Sequence, residues 1–365
     1  MTTKLISVDR NKIENDQGLR EAAAALQRGE LVAFPTETVY GLGASAFDEE
    51  AILRIYLVKG RPQDNPLIVH LARLEDLSEV ATDIPELAYR LYRKFSPGPL
   101  TLVLPRHPRI PARVSAGLDT VAVRFPEDTV ARELIRLAGV PVVAPSANLS
   151  GKPSPTTAAH CLDDLDGKVP YIVDGGPCKI GLESTVLDLC SDEPHILRPG
   201  AITAEMLDAF LGRHQLEEEV GQPKLKKGDI PRAPGMKYRH YAPRARVVIL
   251  PVEAAARAEI MAAFREHWSS GETKKMGGFL DATRAEETLK AFPEHFFTSL
   301  RLYDKGAEGG SAGLFAAFRD FDKAGVECIL VDAQEEKGAG VAYMNRLKKA
   351  AAPEKGEALP GDRKG

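Results

Sequence analysis

Lys59 and Arg61, separated by one glycine and followed by Pro62, stand between a Thr36-Glu37-Thr38 turn and His70. That grouping suits phosphate and carboxylate chemistry. Arg61 offers a planar fork for two oxygens of one anion, whereas Lys59 is a mobile point charge. Taken alone, two cations at a helix C-terminus are equally well explained as partners of the helix dipole, so the neighbouring segments must decide. Gly41 and Gly43 let the backbone pass close to a ligand or to itself. Three more polar turns adjoin buried strands: Pro145 to Ser154, Glu183-Ser184-Thr185 and Arg198-Pro199-Gly200. The first is rich in hydroxyls, amides and backbone N–H groups that could surround phosphate oxygens or a base edge. Each of the three is ambiguous singly, and their co-occurrence carries the argument. Arg124 ends the apolar run Val121-Ala122-Val123, where a buried cation needs an anionic partner. No GxxxxGK[ST] loop and no kinase motif set is present, so a nucleotide here would be held by a different device.

These residues need a scaffold, and the chain reads as α/β. Leu31–Phe34, Leu67–Leu71, Leu100–Leu104, Val121–Phe125, Val140–Ala144, Tyr171–Val173, Thr185–Leu189 and Ile196–Leu197 read as strands. Helices are expected at Leu19–Leu26, Asp48 to Val58 with Asp48 as N-cap, Ile84–Phe95, Val130–Ala138 and Thr157–Leu165, and a last one capped by Thr203. So many strands with irregular connections imply a twisted mixed sheet with flanking helices rather than a strictly alternating domain. Residues 1–212 form this first domain. Residues 213–246 are charged and Pro/Gly-containing without an apolar period, and read as a linker. Its Met236, Tyr238, His240 and Tyr241 are costly in a passive tether, so this segment is expected to dock. Residues 247–350 alternate strands (Val247–Val252, Met276–Leu280, Phe297–Leu302, Cys328–Val331) with helices (Ala254–His267, Ser311–Asp322, Val341–Ala350), a smaller Rossmann-like α/β domain. It lacks a GxGxxG fingerprint. Residues 351–365 are too polar to pack and are expected to be disordered.

Composition bounds the function. The net charge of −4 argues against a protein that grips a nucleic-acid backbone over a large surface, without excluding a local basic cavity. The four cysteines form no CxxC pair and no set with metal-ligand spacing, and His160 next to Cys161 is not a facing pair on a helix. No apolar run is long enough to span a membrane and the N-terminus lacks the core of a signal peptide, so a cytoplasmic protein is expected.

PTETVYGLG, KGRPQDNPLIVH, SPGPLTLVL, VAVRFP, PSANLSGKPSPT, STVLDL and ILRPG, in this order, resemble the threonylcarbamoyl-AMP synthase family, whose catalytic part is also called the YrdC-type domain. APGMKYRHYAP, followed by the smaller domain, resembles the long two-domain form; family members often have Ser where Ala233 stands. The resemblance implies formation of L-threonylcarbamoyl-AMP, pyrophosphate and water from L-threonine, bicarbonate and ATP. The product would be handed to the tRNA threonylcarbamoyl transferase machinery, which modifies the adenosine beside the anticodon; a weak tRNA contact is a further expectation. It implies Mg2+ arriving with ATP, no metal cage of the protein, and no membrane partner. By the family pattern Lys59 and Arg61 are catalytic. Thr38, His70, Arg124, Ala144 and Ser184 surround threonine, with Ala144 acting through its backbone. Arg61, Asn65, Thr120, Ser146, Ser154, Arg198 and the linker residue Tyr241 fall on the ATP side. Ala233–Pro243 would close over the cavity as a lid. Two other readings are a non-catalytic RNA-binding module, disfavoured by the acidity, and a carbamoyltransfer domain like that of hydrogenase-maturation proteins, which carry segments this chain lacks.

Overall fold

In the first domain the strands after the N-terminal one are largely buried and most are short, so chain pairing rather than local propensity sets the architecture. The computed structural model describes residues 2–191, 193–212, 230–234, 241–269 and 275–352. Ten strands form one mixed sheet: β1 (Lys4–Ser7), β2 (Val32–Phe34), β3 (Gly41–Ser45), β4 (Ile68–His70), β5 (Leu100–Pro105), β6 (Thr120–Arg124), β7 (Val142–Val143), β8 (Tyr171–Asp174), β9 (Thr185–Asp188) and β10 (His195–Arg198). Their order is β1-β8-β2-β3-β7-β4-β6-β5-β9-β10. Parallel pairs such as β4–β6 occur beside antiparallel ones such as β5–β6, as expected for a mixed sheet.

Helices cover both faces. On one side α1 (Gln17–Gln27) and α4 (Thr129–Ala138) bury Leu19, Leu26, Leu134 and Ile135 against Phe34 and Val142. On the other, α2 (Glu49–Lys59), α3 (Glu86–Phe95) and α5 (Ala158–Leu165) bury Ile52, Ile55, Leu91 and Leu165 against Leu102 and Val123. Helix boundaries follow local chemistry. Asp48 accepts from Ala51 N at 2.9 Å at the start of α2, and Gly60 closes it with φ +60°. Thr203 likewise caps α6 (Ala204–Leu211).

Two strands of the first domain depart from the sequence reading. The Gly41–Ser45 segment, for which no element was expected, is the fully buried strand β3. Its glycines serve close packing: a Cβ on Gly43 would lie 2.8 Å from the Phe34 ring. The N-terminal strand β1, pairing with β8, carries only one buried residue and therefore no clear alternation.

The second domain is a parallel sheet ordered β11-β14-β12-β13, from β11 (Arg246–Leu250), β12 (Met276–Asp281), β13 (Phe297–Tyr303) and β14 (Cys328–Asp332). Helices α7 (Ala254–Ser269) and α8 (Ala282–Ala291) pack on one face, α9 (Gly306–Lys323) and α10 (Ala339–Ala351) on the other. Helix α8 was not expected, because ATRAEETLKA offers few apolar residues; the Asp281 carboxylate, which caps Thr283 N at 3.0 Å, starts it. The α9–α10 core also includes Val39, Leu182 and Tyr241, so the two domains share a hydrophobic core. Most of the linker, 213–229 and 235–240, lies outside the described residues, as do Met236, Tyr238, His240 and the tail from 353.

Candidate active site

Sheet register assembles the first half of the site. His70 and Arg124 are direct partners across β4 and β6, and Thr101 is the partner of Arg124 across β5 and β6. Three polar side chains thus form a row at one level of the sheet. The predicted anionic partner of Arg124 is Glu37: Nη2 to Oε1 is 2.6 Å, with both side chains buried. Arg124 also donates to Thr38 Oγ1 at 2.9 Å and to Gly98 O at 3.3 Å. The Thr36 hydroxyl accepts from Thr38 N and Val39 N, which fixes the turn that presents Glu37 and Thr38. Glu37 Oε2 is buried without a hydrogen-bond partner among the described residues. An unsatisfied carboxylate oxygen is costly unless a donor arrives. Burial, followed by the nearby Arg124 charge, pushes the His70 pKa down to about 3, so the ring is neutral at physiological pH.

Three loops form the second half. Arg198 donates from Nε to Ser184 O at 3.0 Å and from Nη2 to Ser184 Oγ at 3.1 Å, and Ser184 Oγ also meets Thr101 Oγ1 at 2.7 Å. Burial lowers the Arg198 pKa to about 10, which leaves it cationic at neutral pH. Ser146 Oγ meets Asn148 Oδ1 at 2.5 Å, while the Asn148 amide nitrogen donates to Leu149 O and Lys152 O. Lys59 runs underneath this loop and donates to Ser146 O at 2.5 Å and to Asn148 O. Burial and then the charge of Arg61 push its pKa well below the usual range for lysine. Arg61 donates to Asn65 O at 3.2 Å and Pro66 O at 2.8 Å.

Together these parts line one cleft with an empty volume of about 660 Å3. Thr38, His70, Arg124, Ala144 and Ser184 lie on its wall. So do Arg61, Ser146, Ser154, Arg198 and Tyr241. Tyr241, at φ +71°, stacks on Phe315 of α9 with ring centroids 5.2 Å apart. The docking expected of the linker is therefore seen at this residue. A cleft with buried Arg124 and Arg198, half-buried Arg61 and a neutral histidine fits multiply anionic ligands.

Two sequence-family models divide the chain between them. The family described as "Telomere recombination" matches residues 24–200, and "Threonylcarbamoyl-AMP synthase, C-terminal domain" matches 202–352. The threonylcarbamoyl-AMP synthase of Pyrococcus abyssi is 46% identical over 357 residues, covering 96% of this chain and 98% of that protein. The chain belongs to the threonylcarbamoyl-AMP synthase family. The Bacillus subtilis synthase is 44% identical and aligns over 92% of this chain and 94% of its own length. Among solved structures, P. abyssi Sua5 complexed with L-threonine superposes with a TM-score of 0.85 at 43% identity, covering 96% of this chain and 98% of that one.

Within this threonylcarbamoyl-AMP synthase fold, three residues expected at the site lie off the cleft wall. Lys59 sits behind the 146–152 loop. Asn65 is buried beside Arg61, with neither side-chain polar atom partnered among the described residues. Thr120 starts β6, two residues before the Ala122–Ile68 pairing, and stands opposite Pro105 of β5. Four cleft or cleft-supporting residues had no role assigned from sequence: Glu37, Thr101, Asn148 and Glu183. Each adjoins a quoted motif residue, and the available signal was a polar side chain within an otherwise apolar stretch, as at Thr101 in LTLVL. Burial pushes the Cys161 thiol well up, so the His160-Cys161 neighbours form no thiolate nucleophile.

Proposed function

We infer that this chain synthesises L-threonylcarbamoyl-AMP from L-threonine, bicarbonate and ATP, releasing pyrophosphate and water. The observation that carries the reading is the cleft in which Arg61, Arg124 and Arg198 converge with the Thr38, Ser146, Ser154 and Ser184 hydroxyls. The threonine amine takes up bicarbonate carbon to give a carbamate with loss of water. A carbamate oxygen then attacks the α-phosphate of ATP, the bond to the β-phosphate oxygen breaks, and pyrophosphate leaves. Every species is anionic, and no covalent enzyme intermediate is needed, so catalysis rests on alignment and charge stabilisation.

In this reading Thr38, His70, Arg124, Ser184 and the Ala144 backbone hold threonine. The unpartnered Glu37 oxygen supports the assignment, because an ammonium or amine would satisfy it. Arg61, Ser146, Ser154, Arg198 and Tyr241 face ATP, with Asn65 and Thr120 at that border, and Lys59 sets the loop that presents Ser146. Among the described residues no cluster of three or more His, Cys, Asp or Glu could hold a metal ion. Mg2+ would enter on the triphosphate with oxygen ligands from phosphate and water. Delivery of the adenylate to a tRNA threonylcarbamoyl transferase, a weak tRNA contact, a cytoplasmic location and closure of Ala233–Pro243 over the cleft belong to the same proposal. No helix among the described residues is long and apolar enough to cross a membrane. Mass spectrometry with 13C-bicarbonate tests the reaction. Labelled threonylcarbamoyl-AMP should form only when all three substrates are present; pyrophosphate release independent of threonine would overturn the assignment.

A further inference from the structure

The second domain reaches toward the cleft with two buried arginines, and both end beside one serine. Arg346 on α10 donates from Nε to Glu183 Oε2 at 2.9 Å, from Nη1 to Pro199 O at 2.9 Å and from Nη2 to Glu183 O at 3.3 Å. The other oxygen of Glu183, Oε1, accepts from the Ser154 hydroxyl at 2.6 Å. Arg319 on α9 donates to the carbonyl of the preceding residue, Pro153, at 2.6 Å and pairs with Asp164 at 2.8 Å. Glu183 and Ser154 line the cleft, whereas the two arginines stand behind its wall.

A buried carboxylate is costly unless both oxygens are satisfied, and here both are. Burial pushes Glu183 toward its neutral form, but the charges of Arg346 and then Arg198 outweigh it and hold the carboxyl below its usual range. An ionised carboxylate can only accept hydrogen bonds. The Ser154 proton is therefore committed to Glu183, and the lone pairs of Ser154 Oγ remain for a ligand. A serine in an ordinary loop could turn its hydroxyl either way; this one meets the cleft as an acceptor.

We propose that Arg346 is a positioning residue for adenylate formation, supplied by the second domain, which fixes Glu183 so that Ser154 accepts a hydrogen bond from the bound nucleotide. The proposal rests on the reading of the cleft as an ATP and threonine site with Ser154 on the ATP side. It gives the second domain a part in the reaction beside that of the linker, whose Tyr241 ring lies 5.6 Å from the Arg346 guanidinium.

Steady-state pyrophosphate release by the full chain, with ATP and threonine varied separately, tests this. Loss of a charge-assisted hydrogen bond in an enclosed site amounts to about tenfold. Arg346→Met and Glu183→Gln should each raise KM for ATP by about that factor, with KM for threonine changed less than about twofold. In a Ser154→Ala background Arg346→Met should add no further change, because the two act in series. Glu183→Gln keeps the side-chain volume and leaves Arg346 in place, so it carries the test if Arg346→Met fails to fold. An unchanged KM for ATP in a folded Arg346→Met or Glu183→Gln protein, an equal rise for both substrates, or full additivity with Ser154→Ala would overturn the proposal. An unchanged KM for ATP in Ser154→Ala alone would instead remove Ser154 from the nucleotide side, a failure of the underlying site reading.

Discussion

Lys59 Nζ is enclosed by the Ser146 and Asn148 carbonyls, whereas the Arg61 side chain reaches the cleft wall two residues further on. The KGRP motif thus separates into a support and a candidate substrate contact, and the two should fail differently. Lys59→Met leaves two carbonyls without their donor, at about 1–3 kcal/mol each, so stability and activity should fall together. Arg61→Ala also takes the donor from the Asn65 and Pro66 carbonyls, so its unfolding midpoint should fall too, but kcat/KM should drop about ten- to a hundredfold in protein that is still fully folded. Thermal unfolding and pyrophosphate release measured on both variants check the contrast; unchanged turnover in a folded Arg61→Ala protein would remove Arg61 from the reaction. Motif residues were readable here because Lys, Arg, His and Ser at fixed spacing have few structural reasons to recur together. Their depth was not. Spacing does not say that Lys59 points under a loop, nor that Arg124 is matched by Glu37 on a separate turn. Those facts arise from long-range pairing, as between β4 and β6.

At the scale of elements, apolar runs such as LTLVL and VAV were legible as strands because sheet burial requires continuous apolar character. β3 was hidden by its own packing device, since glycines that admit the Phe34 ring resemble a turn in sequence. α8 was hidden for the opposite reason: it is mostly exposed and relies on its Asp281 cap rather than on an apolar face. The segment that joins the domains is more demanding. Gly181 has φ +78°, and an added Cβ would lie 2.5 Å from Ser311 O and 2.7 Å from the Ala312 Cα on α9. Its N–H donates to Thr38 O at 3.0 Å, so this point links domain docking to the proposed threonine wall. Gly60 offers a control, with φ +60° and open space around the missing Cβ. Gly60→Ala should cost only backbone strain, about 1 kcal/mol. Gly181→Ala should cost more, about 2–4 kcal/mol, because backbone must also move. It should raise KM for threonine as well. Urea unfolding of the two variants provides the comparison, and equal destabilisation would show that the α9 contact yields freely.

For the whole molecule, the domain division was readable from composition, but the shared core was not, because Val39, Leu182 and Tyr241 lie far from α9 and α10 in sequence. The joint is also charged. Arg346 with Glu183, Arg319 with Asp164 and Lys323 with Asp163 cross it, and His160 offers its carbonyl to Arg319. Acid should therefore act in two windows. Burial, followed by Arg319 and Lys323, lowers the His160 pKa to about 4, and His70 falls to about 3. For a histidine with a depressed folded pKa, the unfolded chain takes up the proton first. Stability is thus complete above about pH 6.5 and declines as pH falls toward 4. Glu183 and Asp164 are both held below their ordinary range, in each case because their arginine partners and hydrogen bonds outweigh burial. Their contribution is present above the ordinary carboxylate pKa and is lost only as pH falls through the lower folded value. The first window weakens the fold generally; the second releases the joint itself. Unfolding midpoints followed from pH 8 to 3 should decline in two stages, with the first flattened in His160→Gln. Hydrogen exchange in the second stage should rise first in α9, α10 and the 180–184 segment. A single acid transition with uniform exchange across both domains would show that the charged joint contributes no separate step.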